Sequence, residues 1–216
     1  MKTTPVVLAA IVLSAFSVTG VALVAVTHHL MDGRIAENER QAMQLKLESI
    51  IPAGAFDNDP LTDLIQVSAR DLLGADSTSV HRVRQGDEPV AVILDPVVPD
   101  GYAGPIKLLV SVMRDGSVGG VRVLFHHETP GLGDKIEERK SDWVLGFDGK
   151  SLGNPTLDGW AVKRDGGDFD QFTGATITPR SIVNAVKNTL IYVQQQGERL
   201  YAPTLDTATS AREGTG

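Results

Sequence analysis

An uncharged apolar segment near the N-terminus constrains this chain more than any other feature. Residues 3–27 carry no charge, and most of them are Val, Ala, Leu, Ile or Phe. About 20 such residues in a helix cross the hydrocarbon core of a bilayer. A cleaved signal peptide is the alternative, but its apolar region usually covers only about 7–15 residues. We therefore expect an uncleaved membrane anchor over residues 1–30.

The charges that flank this segment leave its orientation open. Lys2 and the α-amino group lie on one side, while Arg34, Arg40 and Lys46 follow on the other. Positive residues near the end of a membrane span favour the cytoplasmic side. Because this count does not favour export of the larger C-terminal part, charge alone does not assign that part to a side of the membrane.

The remaining composition excludes several classes of function. The formal net charge is −7, and Lys2 is the only charged side chain before Asp32. This argues against a nucleic-acid partner, because proteins that bind nucleic acid present a basic face. The chain has no cysteine, which excludes disulfides, thiol nucleophiles and iron–sulfur clusters held by thiolates. Any redox chemistry therefore depends on a bound cofactor.

Beyond the anchor, residues 31–75 are expected to form a helical stalk and N-terminal helices. A second helix is predicted to start at Pro60, with Asp59 as its cap, and to end at Gly74. Its inward-facing residues would be Leu61, Leu64, Ile65 and Leu72. The stalk, residues 32–51, has a partial apolar stripe at helical spacing. That stripe consists of Ile35, Met43, Leu47 and Ile50.

Residues 76–201 have the pattern of an α+β domain, in which antiparallel strands are flanked by helices. Strands are predicted over residues 90–94, 106–113 and 118–125, with a hairpin turn at residues 114–117. Apolar and polar residues alternate poorly in the second of these strands. Poor alternation is expected where both faces of a sheet are covered.

The end of the chain is predicted to contain two helices, a short strand and a tail. Helices are expected over residues 134–144 and 179–194, and a strand over residues 160–163. The second helix has apolar residues at helical spacing, namely Ile182, Val183, Val186, Leu190 and Val193. Residues 202–216 are small and polar, and we expect them to be disordered.

One segment has the features of a ligand site, and it reads Asp170-Gln171-Phe172-Thr173-Gly174-Ala175-Thr176-Ile177-Thr178-Pro179. Pro179 suits the first position of a helix and Thr178 suits its N-cap, so Thr176 would lie just before the helix. Unpaired amides and the positive end of the helix dipole favour a phosphate there. Simple capping of a helix by a Thr-rich turn explains the same residues, and physics alone favours that explanation.

The segment from Asp170 to Thr176 resembles the flavinylation motif of the FMN-binding domain family, Asp-x-x-Thr-Gly-Ala-Thr. In that family, a dedicated flavin transferase esterifies the last Thr of the motif to the phosphate of FMN. The resemblance implies that Thr176 carries covalent FMN and that Thr173, Gly174 and Ala175 contribute to the site. Asp170 would either orient the site for the transferase or hydrogen-bond the turn.

A second segment agrees with this resemblance. It reads Glu128-Thr129-Pro130-Gly131-Leu132-Gly133 and is similar to a loop of the same family that lies against the isoalloxazine ring. The resemblance implies flavin contacts from this loop, and the candidate residues are Thr129, Gly131, Leu132 and Gly133. The turn around Tyr102 also resembles the family, and we expect it to serve folding rather than ligand binding.

The anchor and the two motifs together resemble the flavoprotein subunits of membrane complexes that couple electron transfer to ion translocation. The Rnf complex, which acts between ferredoxin and NAD, is the first interpretation, and Na⁺-translocating NADH:quinone reductase is the alternative. The resemblance implies an electron relay without catalytic residues or a metal of its own. It also implies contact with other subunits and with membrane lipid, in the bacterial inner membrane, with the soluble domain on the periplasmic side. A membrane-anchored binding module without redox function is the alternative from a different class.

Other candidate residues have simpler explanations. Adjacent residues such as His126 and His127 point to opposite faces of a strand, so they do not supply two convergent metal ligands. Trp143 and Trp160 are candidates for stacking on a flavin, but an interior Trp is more often part of the core.

Overall fold

The computed structural model describes residues 4–51 and 54–202, and the chain divides into two compact units, Met1–Leu45 and Lys46–Gly216. The first unit consists of one helix, α1 (Thr4–Glu48), which extends into the start of the second. Among the described residues, α1 is the one helix long and apolar enough to cross a membrane. The predicted helical anchor is therefore present, and the helix continues without a break into the predicted stalk.

Two hydroxyls within the apolar part of α1 are satisfied by the helix itself. Thr19 Oγ1 donates to the carbonyl of Ala15 at 2.8 Å, and Thr27 Oγ1 donates to the carbonyl of Leu23 at 2.9 Å. Such internal bonds remove the need for water, which is the condition for burial in hydrocarbon. The polar side chains of this segment are thus compatible with a bilayer.

The second unit is built on one antiparallel sheet. Its strands are β1 (Leu64–Val67), β2 (Thr78–Gln85), β3 (Glu88–Leu94), β4 (Val97–Val98), β5 (Ile106–Met113) and β6 (Val118–Phe125). They pair in the order β1-β2-β3-β5, and β5 also pairs with β4 and with β6. The strands predicted over residues 90–94, 106–113 and 118–125 and their hairpin turn are confirmed. In the turn, Asp115 Oδ1 accepts hydrogen bonds from the amide and the hydroxyl of Ser117.

Both faces of β5 are covered, as the sequence predicted. Leu108 and Val110 belong to the main core, to which α3 (Ile177–Gln196) contributes its apolar face. Leu109, which points the opposite way, is also fully buried. The predicted helix at residues 179–194 is therefore confirmed as α3, with a start two residues earlier. The fold class is α+β.

The predicted helix at Pro60 is wrong. Asp59 Oδ1 accepts a hydrogen bond from the Leu61 amide, but the turn that it caps ends within a few residues. Residues 64–67 instead form β1, because their backbone groups pair with the first half of β2. A short helix, α2 (Arg70–Leu73), then ends at Gly74, which has φ +72° as a helix C-cap often requires. Long-range pairing has overridden local helix propensity here.

Two predictions in the later part of the chain also need correction. Residues 134–144 do not form one α-helix but lie in and between two 3-10 helices, Gly133–Ile136 and Asp142–Phe147. Residues 160–163 do not form a strand, because Val162 makes only an isolated β-bridge, to Phe169, and a 3-10 helix begins at Lys163. A short helix, α4 (Glu198–Tyr201), follows α3, and the predicted tail from residue 203 onward lies outside the described residues.

Candidate functional site

A cavity of about 380 Å³ lies at the N-terminal end of α3. Its lining residues are Tyr102, Glu128, Thr129, Leu132, Gly133, Gly174, Ala175, Thr176 and Ile177. Ligand pockets are commonly about 300–1,000 Å³ in volume. The fold thus brings the two segments predicted to hold the flavin onto opposite walls of one cavity, although they are far apart in the sequence.

The acceptor loop, residues 170–176, is held by a tight turn. The Ala175 amide donates to the Phe172 carbonyl at 3.1 Å, and Gly174 has φ +82°. This left-handed conformation at the third position of a turn favours glycine. Trp143 supports the loop from behind, because its Nε1 donates to the Asp170 carbonyl at 2.7 Å and its ring packs edge-on against Phe172.

The prediction that Thr178 is the N-cap of α3 is wrong. The helix begins at Ile177, so Thr176 occupies the N-cap position and Pro179 the third helical position. The Arg180 amide donates to the Thr176 carbonyl at 3.3 Å, which is the first bond of the helix. Thr178 is fully buried instead, and its Oγ1 donates to Glu128 Oε2 at 2.6 Å. Pro179 removes no helical bond there, since the first amides of a helix have no intrahelical partner.

The start of α3 has unpaired hydrogen-bond donors, and one of the residues that carry them, Ile177, lines the cavity. The amides of Ile177 and Thr178 have no acceptor within the described part of the chain. Thr176 has φ −82° and ψ −28°, and its side chain forms no capping bond. A half-buried hydroxyl beside the unpaired amide of Ile177 and the positive end of a helix suits a phosphate group.

The second wall of the cavity is the loop of residues 128–133. The amides of Leu132 and Gly133 both donate to the Thr129 carbonyl, at 3.1 and 3.2 Å. Gly131 has φ +79°, and its amide donates to Asp134 Oδ1 at 2.7 Å. This compact turn leaves the Leu132 side chain 44% exposed, where it borders the cavity. Within the described residues, the wall therefore presents an apolar side chain and little other bulk.

Glu128 ties three segments together beneath the cavity. It is only 5% exposed, and its Oε1 accepts a hydrogen bond from the Ala103 amide at 3.1 Å. Its Oε2 accepts the bond from Thr178. A Cβ at Gly133 would overlap Glu128 Oε2 and would lie 3.2 Å from Thr178 Oγ1. Gly133 is thus required by space and not by backbone conformation.

His126 holds the backbone of Glu128. Its Nδ1 accepts a hydrogen bond from the Glu128 amide at 3.0 Å, so the neutral ring carries its proton on Nε2. That Nε2 lies 3.1 Å from Glu137 Oε1. His127 makes an edge contact with the Phe125 ring, so the two adjacent histidines have separate partners. No three His, Asp or Glu side chains converge as metal ligands within residues 4–51 and 54–202.

The cavity wall carries negative charge and no positive charge. Among its lining residues, Glu128 is the only Asp, Glu, Lys, Arg or His. The nearby cations are paired elsewhere: Lys163 Nζ lies 2.7 Å from Asp170 Oδ1, and Arg180 binds Asp165 through two bonds. The hydrogen bond from Arg180 holds the pKa of Asp165 below its usual range. An anion in the cavity thus depends on backbone amides.

Sequence reasoning identified most of the cavity but not all of it. Thr173 is exposed and does not line the cavity, and Gly131 shapes the loop without lining it. Tyr102, Glu128 and Ile177 line it but were not predicted. The pattern around Tyr102 indicates only a folding turn, while Glu128 stands inside the quoted motif and could have been found there. Trp160 is fully buried in the core, and Trp143 lies behind the loop and not in the cavity wall.

Two family descriptions match the chain. The FMN-binding domain matches residues 101–191, which contain both walls of the cavity, and the RnfG N-terminal region matches residues 1–50. The first match covers β5, β6 and most of α3. The cavity therefore lies wholly within the part of the chain that is similar to FMN-binding domains.

Bacterial proteins of similar length are similar to almost the whole chain. The G subunit of the ion-translocating oxidoreductase complex of Pseudomonas aeruginosa is 50% identical over 195 residues, which is 90% of this chain and 91% of that protein. The corresponding G subunit of Pseudoalteromonas atlantica is 43% identical over 89% of this chain and 90% of its own. That of Shewanella loihica is 47% identical over 87% and 89%, respectively.

Proposed function

This chain belongs to the family of G subunits of ion-translocating oxidoreductase complexes, and from this premise we propose that it is an electron relay with FMN esterified to Thr176. It is a membrane-anchored electron-transport protein with an FMN-binding domain, and it works with the other components of its complex. The covalent bond, the electron partners and the side of the membrane are the proposed parts.

The environment of the Thr176 hydroxyl is the observation that carries the proposal. Three threonines lie within residues 173–178, and Thr176 is the one that lines the cavity. Its hydroxyl is not used as a helix cap, whereas that of Thr178 is buried and bonded to Glu128. Thr176 thus combines access with an unused nucleophile, beside amides that can hold a phosphate.

The absence of a cation among the lining residues supports a covalent link. A free FMN phosphate carries a charge of about −1.5 to −2 at neutral pH, and proteins usually hold such a group with Arg or Lys. This cavity is lined instead by a residue with an unpaired backbone amide, Ile177, and by a carboxylate, Glu128. Retention by weak contacts alone would therefore be poor, and an ester bond to Thr176 would remove that dependence.

We assign the bond to a flavin transferase that uses FAD and Mg²⁺. Thr176 Oγ1 loses its proton and forms an ester with the flavin-side phosphorus of FAD. The pyrophosphate bond breaks and AMP leaves, so the chain gains FMN less one water. The protein contributes an accessible hydroxyl and the amide of Ile177 to steady the phosphate.

When bound, FMN accepts and donates electrons, and this chain's residues hold and shield it. Leu132 and Tyr102 border the cavity with apolar surface, while the acceptor loop is anchored by Trp143. We propose that the electrons pass between ferredoxin and NAD within the complex. We also propose that the complex lies in the bacterial inner membrane and that the domain faces the periplasm.

Intact-mass analysis tests the assignment of Thr176. The full chain is co-expressed with a flavin transferase, together with Thr176→Ala and the matched control Thr173→Ala. The wild type and T173A are expected to gain the mass of one FMN less one water and to give a fluorescent band after denaturation. T176A is expected to lose both signals, because the nucleophile is absent.

Two results would contradict the proposal. If T176A keeps the added mass, another hydroxyl is the acceptor. If the wild type gains no mass beside an active transferase, the covalent relay is wrong, and an anchored module without redox function is favoured.

A further inference from the structure

A buried carboxylate in the wall of the cavity takes no part in the proposed attachment of the flavin. Glu128 lines the cavity together with Thr176, and it is 5% exposed. Both of its oxygens accept hydrogen bonds, from the Ala103 amide and from Thr178 Oγ1, and such bonds stabilise a negative charge on the carboxylate. It takes part in no ion pair within the described residues.

We propose that Glu128 is a potential-setting residue, which lowers the reduction potential of the flavin held on Thr176. The inference rests on the proposed function, because it requires FMN in this cavity. Uptake of one electron adds one negative charge to the bound group unless a proton follows. A fixed negative charge in the wall opposes that uptake, and the reduced form is disfavoured.

The surroundings of Glu128 make its charge effective. The carboxylate is shielded from water, so the field that it exerts on the cavity is weakly screened. No cation lines the cavity to offset it. A negative charge opposes the uptake of an electron from any direction, so the sign of the effect does not depend on the orientation of the ring.

A purely structural role for Glu128 is the competing explanation. Its hydrogen bonds join the turn before β5 to the start of α3, and their loss alone could disturb the site. Two variants separate charge from structure. Glu128→Gln removes the charge, but its amide oxygen can accept from Ala103 and its amide can donate to the Thr178 hydroxyl. Thr178→Val keeps the charge and removes one hydrogen bond.

The experiment is a potentiometric titration of the full-length, FMN-loaded protein with dithionite, followed by flavin absorbance. At the wild-type midpoint, the ratio of reduced to oxidised flavin is expected to be about threefold to tenfold higher in E128Q. A tenfold change corresponds to about 59 mV for a one-electron couple. T178V is expected to melt at a lower temperature than the wild type but to keep a ratio within about twofold of it.

Glu198→Gln serves as the control for loss of one negative charge elsewhere. Glu198 lies just beyond the C-terminal end of α3 and pairs with Arg114. E198Q is expected to leave the midpoint unchanged. The inference is overturned if E128Q titrates like the wild type, or if T178V shifts the midpoint as far as E128Q does.

Failure of this inference is distinguishable from failure of the proposed function. Intact mass is measured on every variant before titration. FMN present at Thr176 with an unchanged midpoint in E128Q rejects the role of Glu128 alone. A wild-type chain without FMN rejects both.

Discussion

The three threonines within residues 173–178 differ only in their environments. Thr173 is exposed on a turn, Thr176 stands at the N-cap of α3 beside the cavity, and Thr178 is buried against Glu128. The Thr178 hydroxyl is a poor acceptor because it is fully buried and does not border the cavity, so attack would require it to leave the core. The three side chains have the same chemistry, so their positions in the fold decide which hydroxyl is able to react.

Gly133 offers a prediction at the same scale. Gly133→Ala would push its Cβ into Glu128 Oε2 and weaken the bond between Glu128 and Thr178. We expect a loss of about 1–3 kcal/mol in the free energy of unfolding, measured by denaturant titration. Gly146→Ala is the control, because nothing lies within 4 Å of a Cβ added there. Equal stability of the two variants would contradict the packing argument.

The 3-10 helix Gly133–Ile136 follows the cavity loop, and a side-chain bond just after it reaches back to His126, the residue that follows β6. Its C-cap residue, Glu137, binds Arg139 Nε at 2.5 Å and His126 Nε2 at 3.1 Å. His126 in turn holds the backbone of Glu128. A short element that could not stay helical alone is thus fixed by side-chain bonds at its end.

These bonds predict acid sensitivity. The hydrogen bond from Arg139, and secondarily that from His126, lowers the pKa of Glu137 below its usual value of 4.5. The folded state therefore gains stability above that value and loses it as the pH falls below 4.5 through the folded pKa. Thermal unfolding between pH 6 and pH 3 should show a shallower loss of stability in Glu137→Gln than in the wild type.

The substitution Arg139→Met tests the effect of the lowered pKa of Glu137 in a second way. It removes the largest cause of the shift, so its loss of stability with acid should also be shallower than in the wild type. Wild-type slopes in both variants would show that another group controls the acid response.

At the scale of the whole molecule, the compact unit that holds the site begins before the sheet. Leu47 and Ile50, near the end of α1, are almost fully buried, and Arg122 Nη2 donates to the Ser49 carbonyl at 2.9 Å. A Cβ at Gly120 of β6 would lie 3.0 Å from Ile50 Cβ, so glycine lets this segment approach the strand closely. The segment is therefore part of the domain core.

Truncation tests this boundary. A fragment that starts at Lys46 should remain folded and soluble, because it retains the buried segment and removes the apolar part of α1. A fragment that starts at Gly54 loses three buried apolar side chains and should be less stable by about 4 kcal/mol or more. Circular dichroism during heating measures the difference. Equal melting temperatures would show that the segment is dispensable.

Local patterns predicted much of this protein. A long uncharged apolar run predicts a helix that can cross a membrane, and apolar runs around Asp115 and Gly116 predict a hairpin, because these signals depend only on neighbours in the sequence. The two motifs pointed to Thr176 and to the loop that contains Leu132, because each motif is a short contiguous segment that can be recognised from its residue types alone. Local signals failed at residues 64–67, where pairing with β2 decided the conformation.

The tertiary structure alone decided which groups meet. The hydrogen bond between Glu128 and Thr178 joins residues that are 50 positions apart, and nothing in the type of either residue predicts the other as its partner. That contact occupies the hydroxyl of Thr178, whereas the side chain of Thr176 forms no capping bond. It also holds the carboxylate of Glu128, which lines the cavity. The sequence by itself determined the apolar helix α1, the hairpin of β5 and β6, the helix α3 and the candidate hydroxyls. The environment of each hydroxyl depends on burial and on long-range hydrogen bonds, which exist only after the chain has folded.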